Sequence, residues 1–307
     1  AAIACAFAQG VIDPLMCGLG GVGSAVVHDA KSGKTENINF LGVAPAAARD
    51  DMWVDAIEGE TADAFGFMLR DKINAIGHQA VMVPGNLKGY HTLLSDYGSM
   101  DWSDISRSAI ALADGGWIVR PHVYSYAMQD EEEQGRIHNS DILGYTSEGR
   151  TLYLGSDGHI KKPGNLVRNP QLGYLLKTIA SEGIDVFYKG DIAGRIADDM
   201  RAKGGLITRE DLAAYEVVRS PALSGSYRGF RIATNVPGGS GVQVIEALNI
   251  LEHFDLTALG HNTPEYIRTL VEAIAYAFND KRNKVGDPAF VDVPLDQLVD
   301  KDYAKSF

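Results

Sequence analysis

Cysteine is scarce in this chain. Only Cys5 and Cys17 occur in 307 residues, which rules out a disulfide framework and offers no zinc-ligand spacing. Positive charge is also short, with 28 Lys and Arg against 40 Asp and Glu and a net charge of −12. No basic cluster is present to neutralise a phosphate backbone, so nucleic acid is not an expected partner. No apolar run reaches the roughly 18 residues of a membrane span, and no membrane association is expected. The chain opens "AAIACAFAQG" without a methionine, so nothing about its address is read from that end. What is abundant is core material: 45% of the residues are hydrophobic, enough for one large domain or two modest ones.

The most conspicuous motif is "GLGGVG", with Gly18, Gly20 and Gly23 spelling G-x-G-x-x-G. A dinucleotide loop leaves a strand and enters a helix, whose amides hold the pyrophosphate. Here "SAVVHD" follows, a strand pattern that soon meets the turn Lys31-Ser32-Gly33-Lys34. The position near 43, where a ribose-binding acid belongs, reads "VAPAAA". These glycines are therefore read as permitting close backbone approach, and no cofactor is expected. "SGKT" at 32–35 lacks the first glycine of a phosphate loop, because His28 stands there. In "PGGSG" Val242 replaces the last glycine of a nucleophile elbow, which makes Ser240 a helix N-cap.

The eight histidines form neither H-x-H nor H-E-x-x-H, so no metal site is expected. His122, with Arg120 and Tyr124 nearby, is the one local group that could line a pocket, against the plainer reading of a helix entered after Pro121. The acidic run Asp130 to Glu133 reads as a solvated segment.

Periodicity sketches the remainder. "AAIACAFAQGVI" is dense enough for a helix buried on all sides. Leu172, Leu175, Leu176 and Ile179 share one helical face, as do Ile192, Ile196 and Met200. Thr208 with Asp211 approaches a capping box. "ALSGSY" and "GFRIATNV" read as strands, and a helix begins near Val242. Thr263-Pro264 opens a long helix expected to bury Ile267, Leu270, Val271, Ile274 and Phe278. Helices and strands mix without a regular βαβ period or internal repeats, which indicates a single layered domain.

Six segments in order, "CGLGGVGS", "INFLGVAPAAARDDM", "VPGNLKGYHTLLSDYGSM", "GIDVFYKGDIAGRIADDMRAKGGLITREDLAAYE", "YRGFRIATNVPGGSGVQVIEALNILEHFDL" and "AYAFNDKRNKVGDPAFVDVP", resemble the large subunit of a γ-glutamyltranspeptidase-type N-terminal-nucleophile hydrolase. The resemblance implies an α+β fold, a four-layer αββα sandwich, with residues 1–307 forming the large subunit of one domain completed by a small subunit from the same precursor. It places the nucleophile, a threonine freed by autocatalytic cleavage, at the start of that partner, so no catalytic residue is expected in this chain. A dimer of such heterodimers is a further possibility of the family.

The family clamps the α-carboxylate of a glutamyl group with an arginine in a motif like D-F-R-E-x-A-P. By that alignment "NFLGVAP" places Asn39 for the aspartate, Leu41 for the arginine and Gly42 for the glutamate. Losing such a bidentate pair costs on the order of 2 to 5 kcal/mol where it is buried. The resemblance thus implies an amidohydrolase or acylase for a small-molecule amide, with water as acceptor. The alternatives are a γ-glutamyltransferase or glutathione hydrolase with a displaced arginine, and a catalytically inactive ligand-binding relative. The expected substrate-contacting residues are Leu41, Gly42, Gly20, Gly21 and His122. The family's small-acid amidohydrolases favour a cytoplasmic location and its transpeptidases a periplasmic one; the cytoplasm is the expectation here.

Overall fold

A computed structural model describes residues 1–62, 66–129 and 135–307; the acidic run Asp130 to Glu133 lies outside them. In chain order the elements begin with α1 (Ala2–Ile12), the hairpin β1 (Gly23–Asp29) and β2 (Lys34–Phe40), and the short pair β3 (Ile57–Glu60) and β4 (Phe67–Leu69). Helices α2 (Asn86–Tyr97) and α3 (Trp102–Gly115), strand β5 (Trp117–Ile118), helices α4 (Pro121–Ala127), α5 (Asn139–Gly144) and α6 (Ser147–Tyr153), and strand β6 (Leu166–Val167) follow. Next come α7 (Pro170–Glu182), α8 (Asp185–Tyr188), α9 (Asp191–Ala202), α10 (Arg209–Ala214) and strands β7 (Val218–Pro221), β8 (Leu223–Tyr227) and β9 (Phe230–Thr234). The chain ends in α11 (Gly241–Leu251), α12 (Leu256–Leu259), α13 (Pro264–Lys284), α14 (Leu295–Leu298) and α15 (Lys301–Ala304).

These elements sort into two compact units. The first comprises residues 1–22 and 42–216, the second residues 23–41 and 217–307.

The first unit is mainly helical. Helix α3 packs against both α1 and α7. The α7 face read from the periodicity is the one that is covered: Leu176 and Ile179 are buried and Leu172 and Leu175 partly so. On α9, Met200 is buried and Ile192 and Ile196 partly so. Thr208 and Asp211 form the full capping box of α10. Helix α1 departs from expectation. It buries Phe7 and Val11 while Cys5 is exposed, because α1 touches its unit along one face, where the ring of Phe7 meets Tyr90 and Trp102 edge-on.

In the second unit β2 is the centre of an antiparallel sheet ordered β1-β2-β7. Its register pairs Gly23 with Phe40 and Asp29 with Lys34 on one side, and Asn37 with Ser220 on the other. The expected hairpin turn at 31–34 joins β1 to β2. Strands β8 and β9 pair separately, and α11 packs on β8 and along α13. Helix α13 starts as read, with Thr263 capping Tyr266 N–H and Pro264 in the first turn.

Its buried face is only partly the expected one. Leu270 packs against the core beside Ala273, and Phe278 is partly buried, but Ile267, Val271 and Ile274 are about half exposed while Ala273 and Ala277 are covered. Small residues win that face because α11 approaches it closely, and the other aliphatics are left as an apolar stripe flanking it. Replacing Ala277, fully buried, by leucine should therefore destabilise the fold by about 1–3 kcal/mol through overpacking, measurable by denaturant unfolding.

Candidate active-site region

In the first unit three segments meet around the glycine run. Gly21 N–H bonds to Gly18 C=O at 3.0 Å, closing a tight turn. The carbonyl of Gly21 then accepts from Gly85 N–H at 3.1 Å and from Asn86 N–H at 3.0 Å, at the start of α2. The Asn86 side chain returns the tie, its Nδ2 donating to Gly18 C=O at 2.7 Å. A β-carbon on Gly21 would lie 2.4 Å from that Nδ2, so glycine is required there by close approach. Gly20 is exposed with open space around it.

Gly42 joins the same cluster. A β-carbon there would come within 2.9 Å of Met82 and 3.0 Å of Val22. Next in sequence, Val43 and Val83 exchange backbone hydrogen bonds at 2.9 and 3.4 Å. Ala46 N–H reaches Asp211 Oδ1 at 2.9 Å. Burial opposes the charge on Asp211, but the N–H groups of Ala46 and Thr208 and the Thr208 hydroxyl prevail and hold its carboxyl below the ordinary range.

Below this cluster Tyr188 is fully buried. Its hydroxyl donates to Pro84 C=O at 3.0 Å and accepts from Lys88 N–H at 3.3 Å. Burial raises its pKa well above the ordinary tyrosine value, so it remains a donor. The Lys88 ammonium bonds to Tyr215 C=O and, at 2.9 Å, to Glu216. Burial pushes the Tyr215 hydroxyl up to about 12.

Met82 also walls a mainly apolar cleft of about 360 Å³ with Pro45, Met52, Trp53, Ile57 and Phe67; Arg49 and Asp50 line it too, and none of the five expected residues does. The Trp53 ring is pinned by Nε1–H donating to Gln79 at 3.2 Å. Ligand sites commonly have about this size and apolar character. A larger hollow of about 900 Å³ lies by the β3–β4 pair, and none of the five expected residues lines it.

Leu41 belongs to the second unit. Its N–H donates to Asn39 Oδ1 at 2.9 Å, so the carboxamide in the aspartate's place shapes the strand end. Leu41 Cδ1 lies 2.9 Å from where a β-carbon on Gly238 would be, and Gly238 has φ +96°. Only glycine suits that turn. In the same sheet Asn37 is 1% exposed, and neither its amide nor the hydroxyl of Ser220 opposite has a hydrogen-bond partner among the described residues. Ser240 precedes α11 as expected, but its side chain does not cap it; Oγ accepts from Lys281 at 2.7 Å instead.

Of the expected residues the structure brings Gly21 and Gly42 into one cluster and leaves Gly20 at its edge. His122 is exposed on α4, immediately after Pro121 at the helix start, and takes no part in the cluster's hydrogen bonds. The sequence reading missed Asn86, Tyr188 and Lys88. "VPGN" could have pointed to Asn86, as an asparagine opening a helix, whereas the Tyr188 tie spans 104 residues and has no local signal. Among the described residues no group of three or more His, Cys, Asp or Glu could hold a metal ion, and no helix is long and apolar enough to cross a membrane.

The whole chain, residues 1–307, matches the family model described as gamma-glutamyltranspeptidase. The chain belongs to that family. It is 35% identical over 307 residues to the glutathione hydrolase proenzyme of Escherichia coli strain K12, covering all of this chain and 50% of that protein. It is 34% identical to the acylase ACY 1 proenzyme of Pseudomonas sp. strain V22, covering 99% of this chain and 52% of that one. The chain thus spans about half the length of the curated relatives it matches.

Among solved structures, the Helicobacter pylori gamma-glutamyltranspeptidase superposes with a TM-score of 0.86 at 31% identity, over 99% of this chain and 82% of that one. The cephalosporin acylase of Bacillus halodurans gives 0.82 at 26% identity, over 99% and 53%. The expected α+β fold of the γ-glutamyltranspeptidase-type hydrolases is the fold of this chain.

The Asn86 tie can be tested directly. Asn86→Ala leaves Gly18 C=O without its side-chain donor, and should cost about 1–3 kcal/mol, read as a lower denaturant midpoint.

Proposed function

We propose that this chain is the large subunit of an autoprocessed amidohydrolase or acylase whose acyl group is largely apolar. The observation that carries the reading is Leu41, which the resemblance sets in the place of the family's glutamate-clamping arginine. A glutamyl head brings a carboxylate and an ammonium group, and such groups bind where fixed opposite charges meet them. At Leu41 there is an aliphatic side chain with no charge to offer either group.

The rest of the enzyme would come from a partner chain cut from the same precursor. Its N-terminal threonine would attack the amide carbonyl, with the threonine's own amine accepting the hydroxyl proton. The C–N bond breaks as the amine departs with a proton, and water then releases the acid from the ester. One feature of this chain supports a partner. The α13 stripe of Ile267, Val271 and Ile274 is half exposed, and contiguous apolar surface of this kind marks contact sites.

A γ-glutamyl hydrolase is the second reading, favoured by the name of the Escherichia coli relative. The two separate on substrate preference. The two-chain enzyme should hydrolyse apolar acyl anilides in preference to γ-glutamyl anilide, and Leu41→Arg should move the ratio of kcat/KM toward γ-glutamyl anilide by about tenfold or more, a step of ~1.4 kcal/mol. A wild-type preference for the intact glutamyl head would overturn the proposal.

A further inference from the structure

Helix α11 carries one carboxyl group into the interior of the second unit. Glu246 is 1% exposed, and neither of its oxygens has a hydrogen-bond donor facing it among the described residues. An ionised carboxylate so placed has neither water nor a donor to offset its desolvation, so the neutral acid is the form the site tolerates.

Beside it, on α13, is Asp280, whose surroundings are the opposite. Its Oδ2 accepts from the Lys284 ammonium at 2.9 Å and from the Tyr303 hydroxyl of α15. Two donors, one of them charged, favour ionised Asp280. One proton between two such carboxyls therefore resides on Glu246, with Asp280 as its acceptor.

We propose that Glu246 stays protonated at neutral pH and donates to the Asp280 carboxylate, forming an acid-to-carboxylate latch between α11 and α13 that opens when Glu246 ionises. What the latch holds is the helix that seats the turn behind Leu41. Helix α11 begins at Gly241, immediately after Pro237–Ser240, and Lys281, next to Asp280, donates to Ser240 Oγ. Gly238 of that turn faces the Leu41 side chain. Opening the latch would place two carboxylates together with Lys284 to balance them.

The other elements packed against α11 do not alter the charge balance. Strand β8 has no charged side chain, while Arg231 on β9 and Asp296 on α14 are exposed. On α15, Lys301 is engaged by Glu252 and Ser226 C=O.

Burial, and next the neighbouring Asp280, push the Glu246 carboxyl up to about 8. A folded-state value above the unfolded one adds stability that is full at acid pH and is lost as pH rises toward that value. Asp280 is shifted down, so its contribution is lost only in acid; those of Lys284 and Tyr303, both shifted up, are lost only in strong alkali. The window between about pH 5 and about pH 8 therefore reports on Glu246.

The latch stands whether or not the enzyme proves to be an amidase, because the test reads no turnover. It combines infrared spectroscopy of the complete protein, with glutamate labelled at the side-chain carboxyl carbon, and melting temperatures from about pH 6 to about pH 9. The wild type should show the carbonyl band of a protonated glutamic acid at the acid end, fading through about pH 8, and its Tm should fall as pH rises from about 6 toward about 8 and level off above that. Glu246→Gln, whose amide still donates to Asp280, should lack both the band and that fall in Tm. Absence of the band in the wild type at the acid end, the same band in the variant, or parallel melting profiles would each overturn the latch. If the variant does not fold, the wild-type band and its titration decide alone.

Discussion

The first unit turns on one carbonyl. Gly21 C=O accepts from two consecutive amides at the head of α2, and Asn86 answers by donating to Gly18. The free amides of a helix start are what a phosphate would need, and here the protein's own backbone takes the first of them. The glycine run is thereby committed to structure: it ties residues 18–22 to the start of α2, and Gly42 closes onto Val22 and Met82. The mainly apolar cleft depends on that junction, because Met82 is both its wall and the neighbour that leaves no room for a side chain at 42.

In the second unit the same economy applies to charge. Leu41, which the resemblance sets against the family's arginine, is uncharged, and Asn39 spends its carboxamide on the Leu41 N–H. The strand end thus presents shape without a fixed charge. Uncompensated polarity lies deeper, at Asn37 and Ser220 in the sheet and at Glu246 on α11. Glu246 is enclosed by its own unit and has a carboxylate for a neighbour, which is why it is treated as a proton donor. Relatives with this fold include proteins named as glutathione hydrolases and as acylases, so the fold leaves the acyl group open and the lining of the site has to select it.

Much of the local structure was legible in the residues. The β1–β2 hairpin followed from alternation around a four-residue turn, α10 from its capping box, and α13 from Thr263-Pro264. The strand after Gly23 was enough to set aside a nucleotide loop. Each of these depends on neighbours within a few residues, where steric preference and side-chain capping act directly on the backbone.

What the sequence by itself determined was therefore the list of elements, their ends and the family resemblance. Tertiary structure alone decided which faces were covered and which distant groups met. Periodicity groups Ile267, Val271 and Ile274 on one side of α13, but only the approach of α11 made Ala273 and Ala277 the buried side. His122 was singled out because polar and aromatic residues stood near it in the chain, yet α4 leaves it exposed. Asp211 was legible as a cap and not as the anchor of Ala46, 165 residues away, and the same holds for Tyr188 and for the Glu246–Asp280 pair. Hydrogen bonds between remote segments leave no periodic trace, because their energy depends on a distance in space that the order of residues does not encode.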